Sequence, residues 1–308
     1  MSVRSGMRAE RVEAAGNVAA SVGESPVWRI AEQALYWVDI PARKIVRLQV
    51  DSGERSEWVL PEKVACIAFD RDGTVLAGCE SGLFAVTLSA PHAEGPSDVS
   101  VSKLAAPEFP ATDMRFNDGR CDRQGRFWSG TMVQDMAAAS PAGSLYRFGE
   151  HGVLSAPVID GLIVQNGLAW SPDGRTMYLS DSHPSRRLVW TFDYDADDGA
   201  PHNRRVFADL HQHVGRPDGA AVDADGCYWI CANDAGRVMR FTPQGELDRE
   251  IEVPAAKPSM CAFGGRDLDT LFITSIRPGA GATEHDGHLF AARPGVRGLP
   301  EPEYAGKL

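Results

Sequence analysis

Short apolar runs rich in aromatic and β-branched residues recur along the chain, each bounded by turn residues. Ala34-Leu-Tyr-Trp-Val-Asp39, Thr74-Val-Leu-Ala-Gly78, Arg126-Phe-Trp-Ser-Gly-Thr131, Thr176-Met-Tyr-Leu-Ser-Asp181, Cys227-Tyr-Trp-Ile-Cys231 and Thr270-Leu-Phe-Ile-Thr-Ser275 are examples. Such runs predict β-strands. Four of them follow related turns: Asp70-Arg-Asp-Gly73, Asp122-Arg-Gln-Gly125, Ser171-Pro-Asp-Gly174 and Asp223-Ala-Asp-Gly226. The turn glycines recur at about 50 residues, a period of several strands per unit, which is the signature of a propeller. Six such units fill the chain, so the pattern predicts an all-β fold, a six-bladed β-propeller. No long amphipathic helical pattern calls for a second domain, and residues 11–308 read as one unit. Residues 1–10 read as a disordered N-terminus. A ring must close to hide its strand edges, and closure is expected between residues near Val12–Ala20 and a last blade drawn from residues 259–292.

One polar column runs through these units. Gly23-Glu24-Ser25-Pro26-Val27-Trp28, Arg115-Phe116-Asn117-Asp118-Gly119, Asn166-Gly167-Leu168-Ala169-Trp170 and Pro217-Asp218-Gly219-Ala220-Ala221-Val222 align so that Glu24, Asn117, Asn166 and Asp218 are equivalent. Each stands four residues ahead of Trp28, Cys121, Trp170 or Val222, and the column continues through Ala65 and Ser259. Around a propeller axis equivalent positions converge, so the column becomes a ring in the central channel. Glu24, Asn166 and Asp218 supply oxygen ligands suited to a divalent ion such as calcium, magnesium or manganese, and acceptable to zinc. Asn117 adds a fourth polar group. Arg115, two residues earlier on the same side of an extended strand, is placed to hold a substrate oxygen. The competing explanation is that Asx and Gly residues mark turns ahead of strands.

Composition narrows the partners. The 308 residues carry a formal net charge of −11, which argues against nucleic acid or an anionic membrane surface as a ligand. No apolar run approaches a membrane helix. The six cysteines form no Cys-x-x-Cys pairs and sit mostly in apolar runs, so reduced thiols and a cytoplasmic setting are expected. Asp193-Tyr-Asp195-Ala-Asp197-Asp198-Gly199 resembles a calcium loop only loosely, and a solvated hairpin is expected there. His211 and His213 alternate without a third ligand nearby. Three inserts, 91–113, 133–143 and 276–287, are candidate lids or surface excursions.

The motifs quoted above, with Gly130-Thr-Met132 and Asp223-Ala-Asp-Gly-Cys-Tyr-Trp229, resemble in order the gluconolactonase / senescence-marker-protein / luciferin-regenerating-enzyme family, from about residue 18 to about 292. The resemblance implies a six-bladed propeller holding one divalent ion, and hydrolysis of a sugar lactone to the aldonic acid. It implies metal ligation by Glu24, Asn166 and Asp218, and substrate orientation by Arg115 and Asn117. A glutamate that contacts substrate in some relatives corresponds to Asp135 here, a departure that bears on which sugar is bound.

The chemistry also follows from the residues. Lactone opening needs a polarised carbonyl, an activated water and a place for negative charge. Asp218 can ligate through one oxygen and accept a proton through the other. Two alternatives stand beside the lactonase: a propeller esterase of the paraoxonase type acting on a less polar ester, and a non-enzymatic propeller that binds a ligand or protein on its top face.

Overall fold

A computed structural model describes residues 12–15 and 19–308; the disorder expected for residues 1–10 lies outside them. Six four-stranded antiparallel sheets follow one another along the chain. Blade I holds Gly23–Arg29, Ala34–Asp39, Lys44–Gln49 and Arg55–Val59. Blade II holds Val64–Phe69, Val75–Cys79, Leu83–Leu88 and Val99–Ala105. Blade III holds Met114–Cys121, Phe127–Val133, Gly143–Phe148 and Ile159–Leu162. Blade IV holds Gln165–Trp170, Thr176–Asp181, Leu188–Asp195 and Ala200–Asp209. Blade V holds Arg216–Val222, Tyr228–Asn233, Arg237–Phe241 and Leu247–Glu252. Blade VI takes Pro258–Gly264, Thr270–Ser275 and Phe290–Ala292 from one end of the chain and Glu13–Ala14 from the other. Glu13 pairs with Ala291 and Ala14 with Phe290, closing the ring where the sequence places it.

The fold is thus the six-bladed β-propeller. Residues 91–113 differ from expectation, because that insert carries the outer strand of blade II, Val99–Ala105. The strand is largely exposed, so it lacks the apolar signal that marks inner strands. No helix among the described residues is long and apolar enough to cross a membrane.

The Asp-Gly turns are built alike. Asp122 Oδ1 accepts from the N–H groups of Gln124 (3.0 Å) and Arg126 (2.9 Å), and Asp223 Oδ1 from those of Asp225 (3.0 Å) and Cys227 (2.9 Å). Gly125 and Gly226, both at φ 82°, take the left-handed step that completes each turn. Between blades the sheet faces interdigitate. Tyr36, Ile45 and Trp58 of blade I pack with Ile67, Phe69 and Val86 of blade II. Trp128 of blade III meets Trp170 of blade IV, ring centroids 6.1 Å apart. The core is therefore a ring of inter-blade layers, and the axis is left for polar groups. One end of the axial channel is closed. Arg120, buried on blade III, donates to Ala220 O of blade V (2.7 Å) and pairs with Glu301 of the C-terminal segment (2.8 Å).

Candidate active site

Every innermost strand carries a break in register at the polar column. The shifts fall between Glu24 and Val27, Val64 and Cys66, Phe116 and Gly119, Asn166 and Ala169, Pro217 and Ala220, and Pro258 and Cys261. A bulge bends the strand and re-aims a side chain. Two of the bulges carry a left-handed residue directly after the column position, Ser25 at φ 51° and Gly167 at φ 65°. Ser25 is held there by its hydroxyl, which accepts from the backbone N–H of Ile67 at 2.9 Å. Such backbone strain away from turns is concentrated at functional sites.

The bulges deliver four of the six column residues to one cavity of about 290 Å³, lined by Glu24, Asn117, Asn166 and Asp218 together with Arg115. Ser259 turns aside, donating to Gly23 O and lying 2.9 Å from the Thr274 hydroxyl. The inserts also reach the cavity. Met136 comes from 133–143, and Ile276 and Pro278 come from 276–287. With Val22, Ile40, Met132 and Val164 they supply an apolar wall to the cavity.

A hydrogen-bond chain fixes the amides. Arg115 Nη1 donates to Asn117 Oδ1 at 2.7 Å and to Phe116 O at 2.8 Å. Asn117 Nδ2 donates to Gln165 O at 2.7 Å and reaches Asn166 Oδ1 at 3.3 Å. Asn166 Nδ2 donates to the Ser182 hydroxyl at 2.7 Å, and Ser182 in turn donates to Pro217 O. With its nitrogen engaged and Oδ1 accepting only the long Asn117 bond, Asn166 keeps one Oδ1 lone pair as an acceptor. Asn233 Nδ2 donates to Asp218 Oδ2 at 2.6 Å.

The carboxylates are out of balance. Burial pushes the Glu24 carboxyl well above its ordinary range; Asp218 and Asp118 add repulsion, and Arg115 opposes it. Burial likewise pushes Asp218 up to about 7, against the lowering effect of its Asn233 bond and of Arg216. Two crowded, desolvated carboxylates beside an oriented amide oxygen form a donor set that a hard cation would relieve. Among the described residues no group of three His, Cys, Asp or Glu side chains is arranged to hold a metal ion; two acids and an amide make this set. These residues fit a divalent ion.

Other expected residues lie elsewhere. Asp135 is exposed and caps the one-turn helix Met136–Ala138, accepting from Ala137 N at 3.0 Å. It does not line the cavity; its neighbour Met136 does. His211 pairs with Asp209 at 2.8 Å and His213 packs edge-on against Phe241, and neither lines the cavity. Asp195 accepts from the N–H groups of Asp197 and Asp198 within a hairpin, as expected of a solvated turn. Four polar lining residues escaped the sequence reading: Ser182, Asn233, Arg216 and Lys257. Ser182 directly follows the second strand of its blade and Asn233 ends that strand in the next. The available signal was a different one: Arg216 and Lys257 stand two residues ahead of Asp218 and Ser259, as Arg115 stands ahead of Asn117.

The chain matches the model of the SMP-30/Gluconolactonase/LRE-like region over residues 22–277. It belongs to this family. A 6-deoxy-6-sulfogluconolactonase of Pseudomonas putida is 39% identical over 293 residues, covering 92% of this chain and 95% of the relative. Among solved structures, a luciferin-regenerating enzyme superposes with a TM-score of 0.88 at 25% identity, covering 97% of this chain and 100% of that one. A calcium-binding protein, regucalcin, from Agrobacterium tumefaciens superposes with a TM-score of 0.85 at 27% identity, covering 98% of each chain. Family membership thus embraces proteins named for lactone opening, for calcium binding and for luciferin regeneration.

Proposed function

We propose that this protein is a sugar lactonase that opens an aldonolactone to the aldonic acid at the axial cavity, with a divalent ion held by Glu24, Asn166 and Asp218. The observation that carries this reading is the convergence of two desolvated carboxylates and an oriented amide on the cavity that also receives the Arg115 guanidinium. The named activity of the Pseudomonas putida relative and the calcium-binding description of the regucalcin structure support it. When bound, the ion supplies a Lewis acid for the lactone carbonyl.

The chain's own residues do the rest. Arg115 uses Nη1 for Phe116 O and Asn117 Oδ1, which leaves Nε–H and Nη2–H for sugar hydroxyls or the developing oxyanion. Asn117 holds that guanidinium in place and aligns Asn166. A carboxylate has about four lone-pair sites. After accepting from Asn233, Asp218 keeps Oδ1 and one lone pair of Oδ2, enough for one ligand bond and one proton from the attacking water. Asp135 acts at one remove, by capping the turn that carries Met136 to the rim. The six cysteines are free and buried, which supports a reducing compartment such as the cytoplasm.

The apolar wall favours one second reading, a propeller esterase working on a less polar ester. A pH-drop assay on a panel of aldonolactones and an aryl ester decides between them. Turnover of aldonolactones is expected. Exclusive turnover of the aryl ester would replace the lactonase by the esterase, and inertness toward the whole panel would favour a binding role.

A further inference from the structure

Beyond the ring, the cavity is lined by two more cations, Arg216 of blade V and Lys257 at the entry to blade VI. Both grip one carboxylate. Arg216 Nε pairs with Asp234 Oδ2 at 2.6 Å, and Lys257 Nζ pairs with Asp234 Oδ1. Burial alone would raise the Asp234 carboxyl, but these two cations hold it below its usual range, so it stays ionised. Two cations thus meet on one carboxylate, and Arg216 also faces Asp218, on a chain whose formal net charge is −11. Asp234 itself sits at φ 71°, a backbone state uncommon for a residue other than glycine. It lies between strands Tyr228–Asn233 and Arg237–Phe241.

Donors remain unspent. A guanidinium offers five N–H groups and an ammonium three. Arg216 uses one on Asp234, one on Ser182 O at 3.3 Å and one on Asn233 Oδ1 at 3.3 Å. Lys257 uses one on Asp234. Both side chains are largely but not fully covered, 16% and 29% exposed. An arrangement meant only to neutralise Asp234 would need one cation. The second one, on a cavity wall with free N–H groups, makes a cradle for oxyanion oxygens.

We propose that Arg216 and Lys257, bridged by Asp234, form a specificity subsite for an oxyanion group carried by the lactone at a position remote from its carbonyl. The inference rests on the lactonase reading and names its substrate class: an aldonolactone bearing a sulfonate, phosphate or carboxylate. Arg115 and the ring then handle the lactone end while this corner holds the charged end.

The test compares gluconolactone with its 6-sulfo, 6-phospho and 6-carboxylate counterparts, as kcat/KM ratios in wild type, Lys257→Gln and Asp234→Asn. Asparagine tolerates the left-handed backbone of position 234, and circular dichroism checks that each variant is folded. Wild type is expected to favour one anionic lactone at least about tenfold, the worth of a charge-assisted hydrogen bond, and to lose that preference as salt rises. Lys257→Gln should narrow the ratio about tenfold and Asp234→Asn should widen it. The preferred substituent identifies the oxyanion. Calorimetric titration with the matching aldonic acids, substituted and plain, reads the same discrimination without turnover. An equal ratio in all three proteins, or binding of neither acid, overturns the subsite. Discrimination in binding without turnover of any lactone would instead overturn the lactonase reading and leave the subsite standing.

Discussion

Arg115 is half-buried in the cavity wall with three N–H groups unspent after its bonds to Asn117 and Phe116. Arg115→Ala should therefore lower kcat/KM for the lactone about ten- to a hundredfold, the equivalent of roughly 1.5–3 kcal/mol for a charged hydrogen bond. Steady-state kinetics beside a thermal melt separates that loss from misfolding, and unchanged kinetics would leave Arg115 no role in binding. Asp218 carries a pH signature. Its carboxyl is raised by burial to about 7 in the ion-free fold, from an ordinary value near 4 when unfolded. A raised acid favours the fold while protonated. Its contribution is complete below about pH 4 and is lost as pH climbs through about 7. Chelated wild type should thus lose stability between pH 4 and 8, and chelated Asp218→Asn should lose less. Melting temperatures across that range check it, and identical pH slopes in the two proteins would refute it. Glu24, Asn166 and Asp218 were legible as a set because the same offset recurs in every inner strand. Arg216 and Lys257 repeat the offset of Arg115, two residues ahead of the column at Asp218 and Ser259, and went unread because Arg115 alone stood beside a recognisable motif; Asn233 comes from a second strand, where no polar offset recurs.

At the scale of the strand, the site depends on bulges. The step after Asn166 is Gly167 at φ 65°, where an added Cβ would stand 2.5 Å from the Ser180 hydroxyl and 2.6 Å from the Tyr228 hydroxyl. Gly167→Ala should cost about 1–3 kcal/mol of strain and turn Asn166 away from Asp218. Both a lower melting temperature and weaker binding of the ion are expected. A variant that melts lower but binds the ion as wild type does would show that the bulge serves the fold alone. The second strand of each blade was easy to read, since burial along its length makes it largely apolar, as in Ala34–Asp39. Outer strands such as Val99–Ala105 and Leu247–Glu252 are more exposed and alternate weakly. Val99–Ala105 hid inside a stretch flanked by prolines for that reason. Asp135 shows a different limit: a carboxylate two residues past a strand can face the cavity or cap a turn, and its bond to Ala137 N shows the cap.

Across the whole molecule, the blades and the ring ligands have separate duties. Each inter-blade layer is apolar and complete without the axis, and the two ends of the chain close blade VI through Glu13–Ala14. The proposed ligands come from blades I, IV and V, so an ion there would join three blades that are already folded. The repeat near 50 residues made this architecture readable, while the charged corner at Asp234 emerges only when blades V and VI are assembled. The most direct measurement follows bound metal and lactone opening together while chelated protein is titrated with calcium, magnesium, manganese and zinc. The expected result is one ion per chain, turnover rising in step with occupancy, and a β-sheet circular dichroism spectrum that chelation leaves in place. Full turnover by the metal-free protein would contradict the central ion.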